Sequence, residues 1–426
     1  MIAMRRIRLK CWVSALLFLL LFAPICALAQ SGNGIGSAPN ISLLDELRAK
    51  GSEALLNLDY EAARQIFKEM TRLSPDDPSG PQTLAWTLWL ETLNKLRLRQ
   101  GAIYSSQSFD AGTDKPDARV TQEFRDLTRQ ATQLARTRLQ RNPRDPQTLY
   151  ALGAVEILRA GFAVTVEGRF FAGMRDASSG VDRHREVVKL DPNFHDAELS
   201  VGLYDYIVGN LPLGAKLMAS LTGARGSKKR GLQTLERVAQ GGHWERDNAK
   251  LLLLALYKHQ KRFSESLALS RELQEKYPRN YLFKLETADT LAWQASAEQQ
   301  ANRVAAADVL ERETLSTLDA LIREHSVSGA AAARRLDLIH FRYGEALLLL
   351  GYPDRATQQF LSATAAAGAD EALVTRAHLR AAQSLDLAGK RNEAVTEYRL
   401  ITTRPNMGDS LEQARRGLKE PYKKTK

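Results

Sequence analysis

Cysteine is almost absent. The 426 residues contain two, Cys11 and Cys26, and both lie in the first segment of the chain. From residue 30 onward there is no thiol, so disulfide staples, thiol nucleophiles and cysteine-ligated zinc or iron–sulfur centres are excluded there. Proline is sparse, at 14 residues, and no stretch alternates apolar and polar residues with the period of two that a half-buried strand needs. The sequence also lacks H-E-x-x-H, G-x-S-x-G, the P-loop and the dinucleotide fingerprint, which leaves no recognised catalytic constellation. No enzyme activity and no cofactor are expected. Gly223 to Gly231 superficially suggests a phosphate loop but lacks the P-loop order, and no strand precedes it. His184 and His195, near Asp182, Asp191, Asp196 and Glu198, form the densest group with metal-ligand chemistry. Pro192 separates them, so no metal site is expected and they read as helix-end polar residues.

Charge of one sign dominates only at the ends. The formal net charge is +11. Removing residues 1–29, which carry four basic and no acidic side chains, leaves +7, of which +5 belongs to Arg415, Arg416, Lys419, Lys423, Lys424 and Lys426 against Glu420. The body is close to neutral, and nucleic acid is not an expected partner. The first residues read as an export signal. Arg5, Arg6, Arg8 and Lys10 precede a short apolar run from Cys11 to Ala23, and Ala27-Leu28-Ala29 supplies the small-x-small cleavage pattern. That run is shorter than a bilayer span needs. The expectation is cleavage and a periplasmic or secreted location, the alternative being retention as an anchor.

What the chain does contain is repetition. In 44–77, Gly51, Tyr60, Ala63, Phe67 and Pro75 recur at fixed offsets. In 337–370 Gly344, Ala356 and Phe360 stand at the offsets of Gly51, Ala63 and Phe67, with Gly351 and Ala363 beside them, and in 375–408 Ala382, Ala394 and Tyr398 do, with Gly389 at the offset of Gly351. A fourth copy at 247–280 keeps Tyr257, Phe263 and Pro278 but has Ser266 and Ser270 in place of alanine and an aromatic residue. The small residues admit close helix approach, the aromatic residue fills the space between the two helices, and the proline ends the unit. A period of this length is the mark of a helical repeat array. Between the copies, Trp86, Trp89 and Leu93 line one helix face, 100–117 reads as an inserted loop, and a long helix over 118–141 ends at Asn142-Pro143-Arg144-Asp145-Pro146. Further helix pairs are expected at 147–190, 195–240 and 281–325, and a polar capping helix at 410–420.

These positions resemble the tetratricopeptide (TPR) superfamily over most of the chain from residue 41. The middle segment resembles a pattern in exported bacterial TPR proteins without an assigned role and, more distantly, a eukaryotic TPR-like family that includes an inclusion-body clearance factor. The residues concerned are Gly202-Leu203-Tyr204-Asp205-Tyr206, Leu211-Pro212 and Gly223 through Leu232. The resemblance implies an all-α fold, a TPR-like α–α superhelix (solenoid) of about eight helix pairs, irregular in the middle. The expected layout is a signal peptide at 1–29, a flexible leader at 30–40, one repeat domain at 41–410, and a capping end with basic tail at 411–426. It also implies a non-catalytic scaffold holding a protein or peptide along the inward face of the first helices of each pair. The carboxylate clamp of one TPR subclass is absent, since Arg48 and Ser52, then Phe341 and Glu345, occupy its positions. By register the groove candidates are Asp45, Arg48, Asn248, Lys258, His259, Arg376, Gln383 and Asp386. Arg225, Lys228, Lys229 and Arg230, at a helix start, are the candidate anion patch. They support the alternative reading, an envelope-associated module that binds anionic polymer or lipid. The partner's identity and the oligomeric state are not fixed by these residues.

Overall fold

The computed structural model describes residues 38–100, 117–214, 216–217, 225–327, 336–404 and 409–423. The expected export segment, nearly all of the leader, most of the loop expected at 100–117, and Gly223 and Ala224 lie outside them. Every regular element among the described residues is helical. They form seventeen α-helices, arranged as eight consecutive pairs and a final helix: α1 (Ala38–Leu56), α2 (Tyr60–Leu73), α3 (Ser79–Gln100), α4 (Ala118–Arg141), α5 (Pro146–Thr165), α6 (Phe170–Leu190), α7 (Glu198–Gly209), α8 (Lys228–Gly241), α9 (Arg246–His259), α10 (Phe263–Lys276), α11 (Tyr281–Gln300), α12 (Val304–Val327), α13 (Leu336–Leu350), α14 (Pro353–Ala365), α15 (Glu371–Leu387), α16 (Arg391–Thr402) and α17 (Ser410–Lys419). The helices divide between two compact units. One holds the chain to Leu93 and Lys115–Leu253, the other Asn94–Asp114 and Leu254–Lys426.

The repeat signature has a direct physical basis in both units. In the first, a Cβ at Gly51 of α1 would overlap the Phe67 ring of α2. In the second, a Cβ at Gly344 of α13 would stand 2.6 Å from Phe360 Cε1 of α14. Each aromatic ring is fully buried against the glycine of its partner helix, so the glycine sets the interhelical distance. The same lock closes the second unit, where Gly417 of α17 receives the Tyr398 ring of α16. The turns between paired helices share a left-handed residue: Leu58, Lys261 and Asn302 at φ 63, 60 and 59°, and Gly351 and Gly389 at 92 and 76°. One residue in that conformation reverses the chain from the first helix into the second. This is the TPR-type hairpin, stacked in series within each unit.

Local sequence places the starts. Asp59, Asp145, Ser227, Asn280 and Asp370 each accept a backbone N–H of the helix that follows, which satisfies donors the helix itself leaves open. Pro146 begins α5 at the one position where its missing N–H costs nothing.

The core of the first unit gathers around α5. This helix is apolar and long enough for a membrane span, but it is buried over nearly its whole length inside the protein, so it is a core helix. Trp86 and Trp89 of α3 are buried, and the Trp89 indole lies over Gly161 of α5 and donates to Thr165 Oγ1 at 3.0 Å. Phe124 of α4 stacks on Phe162 at 3.9 Å. Where α7 and α8 cross, a Cβ at Gly231 would stand 2.5 Å from Gly202 O. Gly202 and Gly231 therefore serve a close helix crossing.

The second unit replaces part of this packing with polar bonds. In the degenerate copy, Ser266 Oγ donates to Leu254 O at 3.0 Å, and Thr287 Oγ1 donates to Ser270 Oγ at 3.0 Å. Hydrogen bonds stand where the other copies use a methyl group and an aromatic ring. The final helix is a partly buried element rather than only a polar cap: Ser410, Ala414 and Gly417 are buried, and Arg391 Nη2 donates to Gly417 O at 2.6 Å, closing its last turn.

Candidate functional site

Three of the groove candidates come together in the first unit. Asp45, Arg48 and Ser52 fall at i, i+3 and i+7 on α1, one helix face that carries the first two of them. Facing them is the segment that enters α9, where Trp244, Glu245 and the third candidate, Asn248, lie. That segment is fixed from below: Asp196 Oδ1 accepts the backbone N–H groups of His243, Trp244 and Glu245 at 2.9, 3.1 and 2.9 Å. Burial pushes the Asp196 carboxyl above its ordinary range, against the pull of those N–H donors.

Arg48 is only 2% exposed. Its guanidinium carbon sits 5.2 Å from the Trp244 ring centroid, a cation–π contact. Two of its nitrogens, Nε and Nη2, have no hydrogen-bond partner, and neither do Asp45 Oδ1, Ser52 Oγ, Trp244 Nε1 and Asn248 Oδ1. Beside them the fully buried Glu245 accepts from Tyr150 Oη at 3.0 Å and from Asn248 Nδ2 at 2.7 Å. Desolvation holds the Glu245 carboxyl well above the usual range, with Asp196 adding to the effect and Arg48 opposing it. Burial likewise raises Asp45, while Arg48 and His243 pull it down. The result is a shielded patch of unused donors and acceptors beside one aromatic face. Such atoms cost on the order of 1–3 kcal/mol each when left unpaired.

The patch is backed by a continuous chain of side chains. Tyr150 stacks on His184 at 4.8 Å. His184 Nε2 lies 3.0 Å from Tyr150 O, and Nδ1 lies 2.6 Å from Ser200 Oγ. A neutral imidazole donating from Nε2 and accepting at Nδ1 satisfies both contacts. Burial depresses its pKa to about 4. His184 therefore differs from the helix-end polar residue expected from sequence: it fills the space beside Gly153, as Phe67 does beside Gly51. His195 does remain near a helix end, with Nδ1 3.0 Å from Glu198 Oε2. Among the described residues no group of three or more His, Cys, Asp or Glu is arranged to hold a metal.

Three of the other groove candidates have partners within the second unit. Lys258 is bound between Glu286 Oε1 at 2.5 Å and Asp289 Oδ2 at 2.8 Å. Gln383 accepts from Arg380 Nη1 at 2.6 Å and donates to Gln413 at 2.9 Å. Asp386 takes Arg391, Tyr398 Oη and the Tyr422 N–H, so it ties α15 to α16 and to the segment after α17. These polar atoms are consumed by the fold. Arg376 lies 6.0 Å from the Phe341 ring centroid, and burial lowers its pKa while Glu345 opposes that shift. His259 is exposed at the end of α9.

The anion patch is also partly spent. Arg230 pairs with the buried Asp205, Lys228 stands 5.7 Å from the Tyr206 ring, and Ser227 rather than an anion accepts the Arg230 N–H at 3.3 Å. Arg225 and Lys229 are exposed.

Sequence reasoning missed Trp244 and Glu245 entirely. They sit in a short segment between helices with no periodicity, and only the closely spaced Gly241, Gly242 and Trp244 marked it as unusual. It also missed a groove of about 820 Å³ lined from α4, α5 and α6, whose residues are far apart in the chain.

No family model matches the chain, and no curated protein matches it. Solved structures do. Human IFIT1, as a dimer with PPP-AAAA, is 12% identical over 95% of this chain and 89% of that one, with a TM-score of 0.44. Yeast Tom70 is 11% identical over 87% of each chain, TM-score 0.34. A thermophilic TPR protein from Thermus thermophilus is 16% identical over 58% of this chain and 98% of that one, TM-score 0.33. At these identities and TM-scores, nothing about what those proteins bind passes to this chain.

Proposed function

We propose that the chain is a non-catalytic scaffold of the bacterial cell envelope that binds a protein segment or peptide through the Arg48 cluster. The reading takes residues 1–29 as an export signal, 30–40 as a leader, 41–410 as the repeat domain and 411–426 as a capping end with basic tail. The product would be periplasmic or secreted. The observation that carries the binding reading is the set of shielded, unused polar atoms on Asp45, Arg48, Ser52, Trp244 and Asn248. An extended peptide backbone offers N–H and C=O groups in alternation, so it meets guanidinium and indole donors and carboxylate and amide acceptors together. These atoms are covered in the free chain, so the peptide reaches them as α1 and the segment that enters α9 part.

The test is selection of a random peptide library on the purified chain, followed by titration of the selected peptides against Arg48→Met and Asn248→Leu variants. Both substitutions roughly keep side-chain volume while removing the polar atoms. Loss of binding by about tenfold or more in both variants, with a melting temperature that Arg48→Met does not lower, supports the reading. Equal binding by the variants, or no selected peptide, refutes it. Export is tested separately by fusing residues 1–40 to a phosphatase that is active only outside the cytoplasm; an inactive fusion removes the envelope location.

A further inference from the structure

We propose a second binding surface, a groove for acidic peptide segments formed by α4, α5 and α6 from residues outside the Arg48 cluster. The groove encloses about 820 Å³, and six arginines line it. Its lining carboxylates among the described residues are Glu167 and Asp176, and each is shared. Glu167 takes Arg125 at 2.6 Å and Arg169 at 3.2 Å. Asp176 takes Arg159 at 3.1 Å and Arg175 at 4.0 Å. A guanidinium carries five N–H donors in a planar fork, so two carboxylates leave most of the donors of these four arginines unused. Arg129 reaches only Asp126 of its own helix, at 2.8 Å, and Arg136 has no ion pair among the described residues. The excess is positive, exposed, and gathered on one concave surface.

The spacing favours a peptide over a charged polymer. Arg125, Arg129 and Arg136 fall on one face of α4, spanning about 16 Å at 1.5 Å per residue, the length of about five extended residues. Between and beyond the arginines that face presents Thr128, Thr132, Gln133 and Gln140, and the opposite wall presents Ala163 and Ala172. An extended segment with acidic residues at alternate positions places carboxylates against arginines, its amides against threonine and glutamine, and its small apolar side chains against the alanines. A chain bearing a phosphate on every unit would instead set negative charge against Glu167 and Asp176 and leave the neutral side chains without use.

The proposal goes beyond the Arg48 reading and stands on different residues. It is tested by fluorescence anisotropy of the purified full chain with a fluorescein-labelled nine-residue peptide alternating Glu and Ala. A Lys–Ala peptide of equal length and sodium polyphosphate serve as comparators. The expected result is saturable, salt-sensitive binding of the Glu–Ala peptide alone. It should weaken by about tenfold or more in the double variant Arg129→Glu/Arg136→Glu, whose far-UV spectrum should be unchanged because neither side chain bridges helices. The proposal is overturned by absent binding, by equal affinity in the double variant, or by polyphosphate displacing the probe more effectively than unlabelled Glu–Ala peptide.

Discussion

Acidifying the protein should cost it stability through one side chain, and the amount follows from the burial of His184. The imidazole is neutral in the folded state, with a pKa of about 4, and returns to about 6.5 when the chain unfolds. The native pKa is the lower, so below pH 6.5 the unfolded chain takes up a proton that the native protein refuses. Stability is therefore lost as pH falls from about 6.5 to about 4, and the loss levels off once both states are protonated. At 1.36 kcal/mol per unit, the separation is worth about 3 kcal/mol in full, and about 2 kcal/mol by pH 5. Glu245 acts in the opposite sense, since its carboxyl is raised by burial: the native state holds its proton longer, and acidification toward 4.5 favours folding. The comparison needed is thus between the protein and His184→Gln, which keeps Glu245 and removes only the titrating imidazole. Urea unfolding followed by tryptophan fluorescence, at intervals from pH 7 to pH 4.5, gives both slopes. The variant is expected to be less stable at pH 7 because glutamine fills the site beside Gly153 poorly, yet its stability should escape the imidazole's share of the acid loss, up to one proton's worth of slope. Parallel curves for the two proteins would falsify the neutral, buried assignment.

Two further substitutions test the repeat geometry. Gly344→Ala places a methyl group 2.6 Å from the Phe360 ring and should destabilise the protein by about 1–3 kcal/mol; in Gly344→Ala/Phe360→Leu the loss should be less than the sum of the single variants, and strict additivity would show that the glycine is not there for the ring. Lys261 is exposed and left-handed at φ 60°, in the position that Gly351 and Gly389 occupy in later repeats. Lys261→Gly should relieve about 1 kcal/mol of backbone strain, partly offset by greater freedom in the unfolded chain; a fall in melting temperature would contradict that account.

The fold was legible wherever its lock is local. Gly51 with Phe67, and Gly344 with Phe360, are each 16 positions apart, so both partners fall inside one repeat window and the pattern announces itself. In the middle of the first unit the same contact is made by Gly153 with His184 and by Gly161 with Trp89. Those partners sit at irregular separations, and the second pair bridges the segment around 100–117. No fixed period reports them. Histidine at such a contact also reads as chemistry when its role is volume. Asp196 is a similar case: beside two histidines it suggests a ligand, and in the structure it caps the turn that carries Trp244 and Glu245.

Register alone placed Arg48, Lys258 and Asp386 in one class, and the structure separates them by what lies opposite. Lys258 meets Glu286 and Asp289, and Asp386 meets Arg391, Tyr398 and the Tyr422 N–H. Each buried charge has a counter-charge or donors delivered by another helix or the terminal segment, which is the condition under which burial is tolerated. Arg48 receives instead an aromatic face and two carboxyls, Asp45 and Glu245, and burial raises the pKa of both. A guanidinium kept charged against so little internal compensation is a poor device for stability, because an apolar side chain of similar size would pack there without the desolvation penalty. On the proposed reading, the missing hydrogen bonds come from outside the chain. The same reasoning applies to the arginines of the α4–α6 groove with a different emphasis. They are exposed, so their unused donors cost little, and their concentration on one surface bears on attraction and orientation of a partner more than on its depth of burial. The two surfaces thus ask for different things from a bound segment: backbone amides at the first, acidic side chains at the second.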